Sequence, residues 1–167
     1  MTDQRQQLHT ELWNIANILR GNMGADEFRD YILGFIFYKF LSERMEAQAE
    51  KLLAEEDFSF KDLTSNDEKS KEALGIISRY TVQSLGYFIQ PRHLFSHFAQ
   101  VATTANVGVS DLLQQLQEAF TAVEMSTFNS ESQEDFDKLF EDIDLNSSKL
   151  GSTPKAKTEL VAKVLVQ

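Results

Sequence analysis

Residues 24–53 constrain the fold of this chain more than any other stretch. Between residues 28 and 41, apolar side chains recur at steps of one, three and four, which is the period of an α-helix. Asp26 and Glu27 fall in the first turn, where acidic groups suit the positive end of the helix dipole. The apolar residues cover nearly the whole circumference, so we expect a central helix that neighbouring elements bury on several faces.

The composition favours helices in the rest of the chain as well. Of its 167 residues only 7 are Gly and 2 are Pro, so helix breakers are scarce. Hydrophobic residues make up 42%, with 13 Phe, which supplies enough apolar surface for one folded core. The absence of Cys rules out disulfides and thiolate metal sites. These features predict a single, mainly α domain.

Shorter helices are predicted on both sides of the central one. Their expected ranges are 4–20, 68–84, 92–101, 111–125, 132–140 and a last helix that begins at Thr153. Ser110, Ser132 and Thr153 are the predicted N-caps, with Pro154 at the first position of the last helix. Residues 55–71 are predicted to form a loop or mobile excursion. Tyr87, Phe88 and Ile89 predict a short strand that ends at Pro91. The expected fold class is therefore a helical bundle with a minor short-strand element.

The charge and hydropathy patterns exclude some classes of function. A net charge of −10 argues against a free-standing nucleic-acid binder, but it allows DNA contact within a larger assembly. The most apolar run, residues 31–41, is shorter than the ~20 residues that span a bilayer. The N-terminus lacks the apolar core of a signal peptide, so we expect a soluble, cytoplasmic protein with no membrane contact.

Motifs for catalysis are weak or missing. His93 and His97 are four residues apart, a spacing found in metal sites, but Leu94 follows the first histidine where a metalloprotease has Glu. Local packing is the preferred interpretation of this pair. No Gly-rich phosphate loop and no Gly-x-Ser-x-Gly motif is present. Six acidic residues between 134 and 144 suggest a solvated face or a docking surface for a basic partner. We therefore predict no catalytic, cofactor-binding or metal-binding residue in this chain.

Basic and polar side chains in the first third of the chain are better candidates for contact with a partner or DNA. The turn between the first two helices presents its side chains outward. Arg20 could equally pair with Asp26 or Asp30. The predicted contact residues are Arg20, Asn22, Lys39 and Arg44.

Three separated segments carry a family resemblance. They are LWNIANILRGNMGADEFRDYILGFIFYKFLSERME at 12–46, GYFIQP at 86–91 and FEDIDLNSSKLG at 140–151. In this order they resemble the N-terminal domain of the methylation (M, HsdM) subunit of type I restriction–modification systems. The family pattern is LW, A, LRGNM, a short acidic turn and a long apolar helix that ends in S-x-R-x-E. Gly24 departs from it, because the family often has Asp there.

The resemblance implies what the full-length parent does. Such a subunit transfers a methyl group from S-adenosylmethionine to the N6 of adenine in DNA. That chemistry uses a Gly-containing cofactor loop and an Asn/Asp-Pro-Pro-aromatic motif around a flipped base. The chain has no Pro-Pro dipeptide, so the resemblance implies that residues 1–167 form the N-terminal domain alone and that the catalytic domain follows. This domain by itself is not expected to be active. The implied partners are the specificity (S) subunit, a second M subunit, the restriction (R) subunit and DNA.

Two other classes of function remain open at this point. A stand-alone acidic interaction protein, or DNA mimic, would fit the net charge and the absence of Lys and Arg between residues 93 and 137. A metal enzyme that uses His93 and His97 would contain bound zinc. The reading frame after residue 167 distinguishes the first alternative from the methylation subunit, and elemental analysis tests the second.

Overall fold

The computed structural model describes residues 2–21, 23–104 and 111–166, with side chains omitted at 2–4, 8, 25 and 28. Its α-helices are α1 (Thr2–Leu19), α2 (Ala25–Leu52), α3 (Glu68–Leu85), α4 (Phe95–Thr103), α5 (Leu112–Ser126), α6 (Gln133–Phe136) and α7 (Pro154–Leu165). Short 3-10 turns lie at Phe60–Asp62, Pro91–His93 and Ser148–Leu150. The predicted helical class is confirmed, and α1 and α3 lie within two residues of their expected bounds. In these parts of the chain, no helix is both long and apolar enough to cross a bilayer.

The long helix α2 is the centre of the bundle. It begins after Gly24, whose N–H is 3.4 Å from a carboxylate oxygen of Glu27, so an acidic side chain in the first turn helps to cap the helix. It packs against α1, α3 and α4, while α7 closes the other side of α1 and α4. Along its inner side it buries aromatic and aliphatic residues over five turns: Tyr31, Phe35, Tyr38, Leu41, Met45 and Ala49.

Three aromatic rings form the middle of the core. Phe120 of α5 stacks on Phe140 with ring centroids 4.6 Å apart and an interplanar angle of 15°. Tyr38 of α2 meets both rings edge-on, at 5.1 Å from Phe120 and 5.7 Å from Phe140. Edge-on and stacked pairs of this kind contribute beyond their buried area. The cluster joins α2 and α5 to the segment that follows α6.

The strand predicted at residues 87–89 is wrong. This segment is extended between α3 and the turn at Pro91, and no strand is assigned anywhere in the described ranges. Its polar groups bond to helices instead. The Tyr87 hydroxyl donates to the carbonyl of Leu41 at 2.8 Å, and the Phe88 N–H donates to the Ser126 hydroxyl at 3.0 Å. An extended segment becomes a strand only beside a second one, and in the described parts of the chain this segment bonds to α2 and α5 instead.

Two cap predictions have different outcomes. Thr153 caps α7 as expected, since its hydroxyl accepts from the Ala156 N–H at 3.2 Å. Ser132 does not cap a helix that reaches Phe140, because α6 ends at Phe136 and Lys138 has a positive φ of 57°. The Ser132 hydroxyl donates to the carbonyl of Gly86 instead. Ser110, the third predicted cap, lies outside the described residues.

The loop that joins α2 to α3 is anchored in the core. Phe60 is fully buried within the short turn Phe60–Asp62. Its N–H donates to a carboxylate oxygen of Glu50 at 2.8 Å. The loop prediction for residues 55–71 is therefore confirmed for most of the segment, with one aromatic side chain that holds it against α2.

Residues 140–151 form a segment that lies across the N-terminal half of α2. The Tyr31 hydroxyl donates to the carbonyl of Asp144, and the Lys149 ammonium pairs with Glu27. Ile143 packs directly over Gly34, where a Cβ atom would lie 1.9 Å from its Cδ1. The glycine therefore lets the 140–151 segment approach the α2 backbone closely.

Candidate interaction site

Arg20 lies just after α1 and stacks on an exposed aromatic ring. Its guanidinium carbon is 5.0 Å from the ring centroid of Trp13, whose side chain is 54% exposed. The alternative partners predicted for it, Asp26 and Asp30, are taken by Arg29, with N–O distances of 3.6 and 3.1 Å. An exposed Trp–Arg pair is a typical composition for a binding surface.

Lys39 and Arg44 both lie on α2 but in different surroundings. Lys39 is half-buried, and its ammonium is 5.7 Å from the ring centroid of Phe95. Arg44 is exposed. The structure shows no contact that joins either of them to Arg20 within the described ranges. Asn22, the fourth predicted contact residue, lies outside the described residues. The predicted set therefore does not converge on one compact site.

Neighbouring elements bury α2 on several faces, as expected, but one apolar stripe of the helix stays exposed. Leu33, Phe37 and Phe40 are 58%, 38% and 52% exposed. Their spacing of four and three places them on the side of the helix opposite Tyr38 and Met45. We call these three residues the outward face of α2. Contiguous exposed apolar residues of this size mark surfaces that bind other molecules.

A groove of about 240 Å³ borders the outward face where α1, α2, α4 and α7 meet. Its apolar lining includes Ile15, Ile36 and Phe95, and Phe40 forms part of its wall. Its charged lining is one cation, Lys39, and two carboxylates, Glu11 and Glu43. The sequence pattern did contain the necessary residues. It could not show which of the two apolar sides of α2 would be covered, so it missed this surface.

The three segments of the family resemblance converge on α2. Tyr38 donates to the carbonyl of His93 at 2.6 Å, just after the GYFIQP segment. Tyr87 of GYFIQP donates to Leu41, and Tyr31 bonds to Asp144 in the 140–151 segment. Residues of the three segments that carry the family resemblance therefore hold distant parts of the chain against α2. Their arrangement is that of a scaffold.

Comparison with known proteins identifies the scaffold. The family model for the HsdM N-terminal domain matches residues 8–167. This chain belongs to the HsdM N-terminal domain family.

Two relatives extend the assignment of this HsdM N-terminal domain. The type I restriction enzyme MpnII methylase subunit of Mycoplasma pneumoniae is 32% identical over 168 residues, which cover 98% of the chain and 30% of the relative. The crystal structure of a type I restriction-modification system methyltransferase subunit from Streptococcus thermophilus matches with a TM-score of 0.75 and 30% identity. That match covers 96% of this chain and 33% of the solved one. The chain thus spans about a third of the length of these relatives.

The two histidines of this HsdM N-terminal domain do not share a helix. His93 ends the turn Pro91–His93, and His97 lies in α4 after the extended Leu94. Burial, together with the charge of Arg92, lowers the pKa of His93 to about 4, and its buried Nδ1 has no hydrogen-bond partner among the described residues. Burial also lowers the pKa of His97. Within the described ranges, no group of three or more potential metal ligands is assembled.

The acidic residues between 134 and 144 are all exposed. They are Glu134, Asp135, Asp137, Glu141, Asp142 and Asp144. Because water solvates each carboxylate, this face needs no partner to be stable. It leaves a negatively charged surface beside the outward face of α2, since Asp142 and Leu33 line the same shallow depression.

Proposed function

We propose that this chain is the N-terminal helical domain of the methylation subunit of a type I restriction–modification enzyme. The observation that carries the proposal is the match of residues 8–167 to the HsdM N-terminal domain family. The two compared relatives, a methylase subunit and a methyltransferase subunit, are about three times as long as this chain. In the full subunit, a separate domain would bind S-adenosylmethionine and methylate adenine N6 in DNA. The domain described here would be inactive alone and would work in the cytoplasm.

The role we assign to this domain is assembly of the enzyme. The outward face of α2 and the adjoining groove offer an apolar surface of the kind that buries against another subunit. The expected partners are the specificity subunit, a second methylation subunit and the restriction subunit. Arg20, Asn22, Lys39 and Arg44 are the proposed contacts to these partners or to DNA.

The assembly role is tested in the full-length subunit by capture of the specificity subunit. We expect deletion of residues 1–167 to abolish capture. A sharper test is the double variant Phe37→Asp with Phe40→Asp, which places two negative charges on the outward face. The matched control is Ile76→Asp on α3, where the original side chain is 53% exposed. Unchanged capture by the double variant, with normal thermal unfolding, would refute the role of the outward face.

The DNA contacts are tested by charge reversal. Arg20→Glu and Lys39→Glu should weaken DNA binding and methylation by the assembled enzyme, because phosphate contacts rely on positive charge. Lys71→Glu is the control, since Lys71 is exposed on α3 and pairs only with its neighbour Glu68 among the described residues. If the Arg20 and Lys39 variants bind and methylate DNA as well as the Lys71 control, Arg20 and Lys39 have no part in DNA contact.

The exposed acidic residues between 134 and 144 support a second candidate, an acidic surface that binds a basic partner or mimics DNA. Capture of a DNA-binding enzyme by this chain in the absence of the specificity subunit would favour that candidate. Neutralising Glu141→Gln and Asp142→Asn should then release the captured enzyme. The same variants should leave assembly of a methylation complex unchanged.

A further inference from the structure

A second pocket, lined by both apolar and polar side chains, shares no lining residue with the groove beside the outward face. It has a volume of about 250 Å³, several times the ~30 Å³ occupied by a water molecule. It opens between the turn Phe60–Asp62, the turn Pro91–His93 and the start of α4. Its polar lining consists of Lys61, Thr64, Arg92, Ser96, His97 and Gln100. None of the described residues that line it is acidic, although the chain carries a net charge of −10.

The two permanent cations of this pocket have donors to spare. Lys61 pairs with a carboxylate oxygen of Glu46 at 2.8 Å, which engages one of its three N–H groups. The Nε of Arg92 donates to the side-chain oxygen of Gln90 at 3.2 Å, which leaves the four N–H bonds of its two Nη atoms. Glu46 does not line the pocket, but it reduces the positive charge there and also accepts from the Ser96 hydroxyl at 3.5 Å. The Thr64 hydroxyl likewise donates to a carboxylate oxygen of Asp67 at 3.5 Å, so both hydroxyls of the lining are already engaged.

The start of α4 adds further donors to the same wall. Leu94 is the N-cap, so Ser96 and His97 lie in the first turn, where the helix dipole is positive. The Phe95 N–H already donates to the Ser42 hydroxyl at 2.6 Å, whereas the Ser96 N–H is in a position that lacks an intrahelical acceptor. Since burial lowers the pKa of His97, its imidazole is neutral at pH 7 and can donate one N–H.

We propose that the pocket formed around Lys61 and Arg92 binds a phosphate-class oxyanion. Two cations with N–H groups to spare, the side-chain amide of Gln100 and a helix N-terminus line it. A tetrahedral oxyanion can accept hydrogen bonds from several directions at once. The oxyanion has two sources, free phosphate or the phosphodiester of a nucleic-acid backbone. Binding of a nucleic-acid phosphodiester rests on the proposed role in a DNA-modifying enzyme. Binding of free phosphate rests on the geometry of the pocket alone.

The test is a titration of the isotopically labelled chain with inorganic phosphate, followed by amide and side-chain NMR. We expect saturable shifts at Ser96, His97 and the side chain of Arg92. Arg92→Gln and Lys61→Gln should each weaken binding about tenfold, the effect of losing one charge-assisted hydrogen bond. Arg79→Gln and Lys71→Gln remove the same charge from exposed sites on α3 and should leave the affinity unchanged.

Two titrations show first whether the pocket binds an oxyanion and then whether that oxyanion is free phosphate or a DNA phosphodiester. Absence of saturable shifts, or equal losses in the pocket and control variants, would overturn the proposal. A second titration uses a short DNA duplex of random sequence. Shifts at the same residues, reversed by phosphate, identify a backbone phosphodiester as the ligand. Phosphate binding without a response to the duplex identifies free phosphate and leaves the assembly role to be decided by subunit capture alone.

Discussion

The inner and outward faces of α2 have almost the same residue types but opposite surroundings. Phe35 is 3% exposed on the inner face, and Phe40 is 52% exposed just over one turn later. The inner face is held by hydrogen bonds from Tyr31, Tyr38 and Tyr87 as well as by packing. Among the described residues, the outward face borders solvent, the groove between α1, α2, α4 and α7, and a shallow depression beside Asp142. The same apolar composition thus serves stability on one side of the helix and is available for binding on the other.

The largest expected effect is the contrast between two Phe truncations. Phe35→Ala should lower the free energy of unfolding by about 3–5 kcal/mol, because it leaves a cavity between α1, α2 and α5. Phe40→Ala should cost less than about 1 kcal/mol, since its ring is already half in water. Chemical denaturation of both variants measures the difference. Equal losses would mean that the two faces do not differ in burial as described.

Protonation of His93 at low pH should destabilise the fold at the inner face of α2. The His93 carbonyl accepts a hydrogen bond from the Tyr38 hydroxyl on that face. The folded state keeps this imidazole neutral down to a pKa of about 4, whereas the ordinary pKa of histidine is 6.5. Between these pH values the unfolded chain binds more protons, so stability is lost as the pH falls from 6.5 to 4. The loss from this residue is up to about 3 kcal/mol.

The measurement is the pH dependence of unfolding for the native chain and for His93→Gln. The two proteins share every other ionisable group, so the difference between the two curves isolates His93. The variant should show a shallower slope in this window, and His97→Gln should change the slope less. A slope that His93→Gln leaves unchanged would contradict the burial of a neutral imidazole.

The boundary between the two faces is tested at Gly34. Gly34→Ala should destabilise the fold by about 1–3 kcal/mol, because the new methyl group would collide with Ile143 and displace the 140–151 segment. Gly75→Ala is the matched control on α3, where a Cβ would meet no atom within 4 Å. That change should stabilise the fold by up to about 1 kcal/mol, because Ala is the better helix former. A loss in both variants would indicate helix effects unrelated to the 140–151 segment.

The smallest expected effect concerns the ion pair between Lys149 and Glu27, which ties the same segment to the first turn of α2. The Lys149 ammonium lowers the pKa of Glu27 through its hydrogen bond. Both side chains are about half exposed, at 50% and 42%, so water and salt screen the pair. Lys149→Gln should shift the melting temperature slightly at low salt and not at high salt. A shift that persists at high salt would show that Lys149 acts through packing.

The local features of the sequence predicted much of the scaffold. The helical period, the acidic first turn of α2 and the Thr153 cap are each set by neighbours within one or two turns, and each is confirmed. The strand at 87–89 and the helix through Phe140 failed because their outcome depends on distant groups, Leu41 and Ser126 in one case and Gly86 in the other. Arg20 likewise stacks on Trp13 because Arg29 takes the acids that lay near it in sequence.

The sequence by itself determined that the chain is mainly helical, that it has a long apolar central helix and that it resembles the HsdM N-terminal domain. These features follow from the order of residues along the chain. Only the tertiary structure decided which side of that helix is covered. An apolar stripe is buried when another element has the length and direction to cover it. The rings of Phe120 and Phe140 cover Tyr38, whereas Leu33 and Phe37 only line a shallow depression beside the 140–151 segment. For the same reason, the pocket around Lys61 and Arg92 exists only because a loop, a turn and a helix start meet in space.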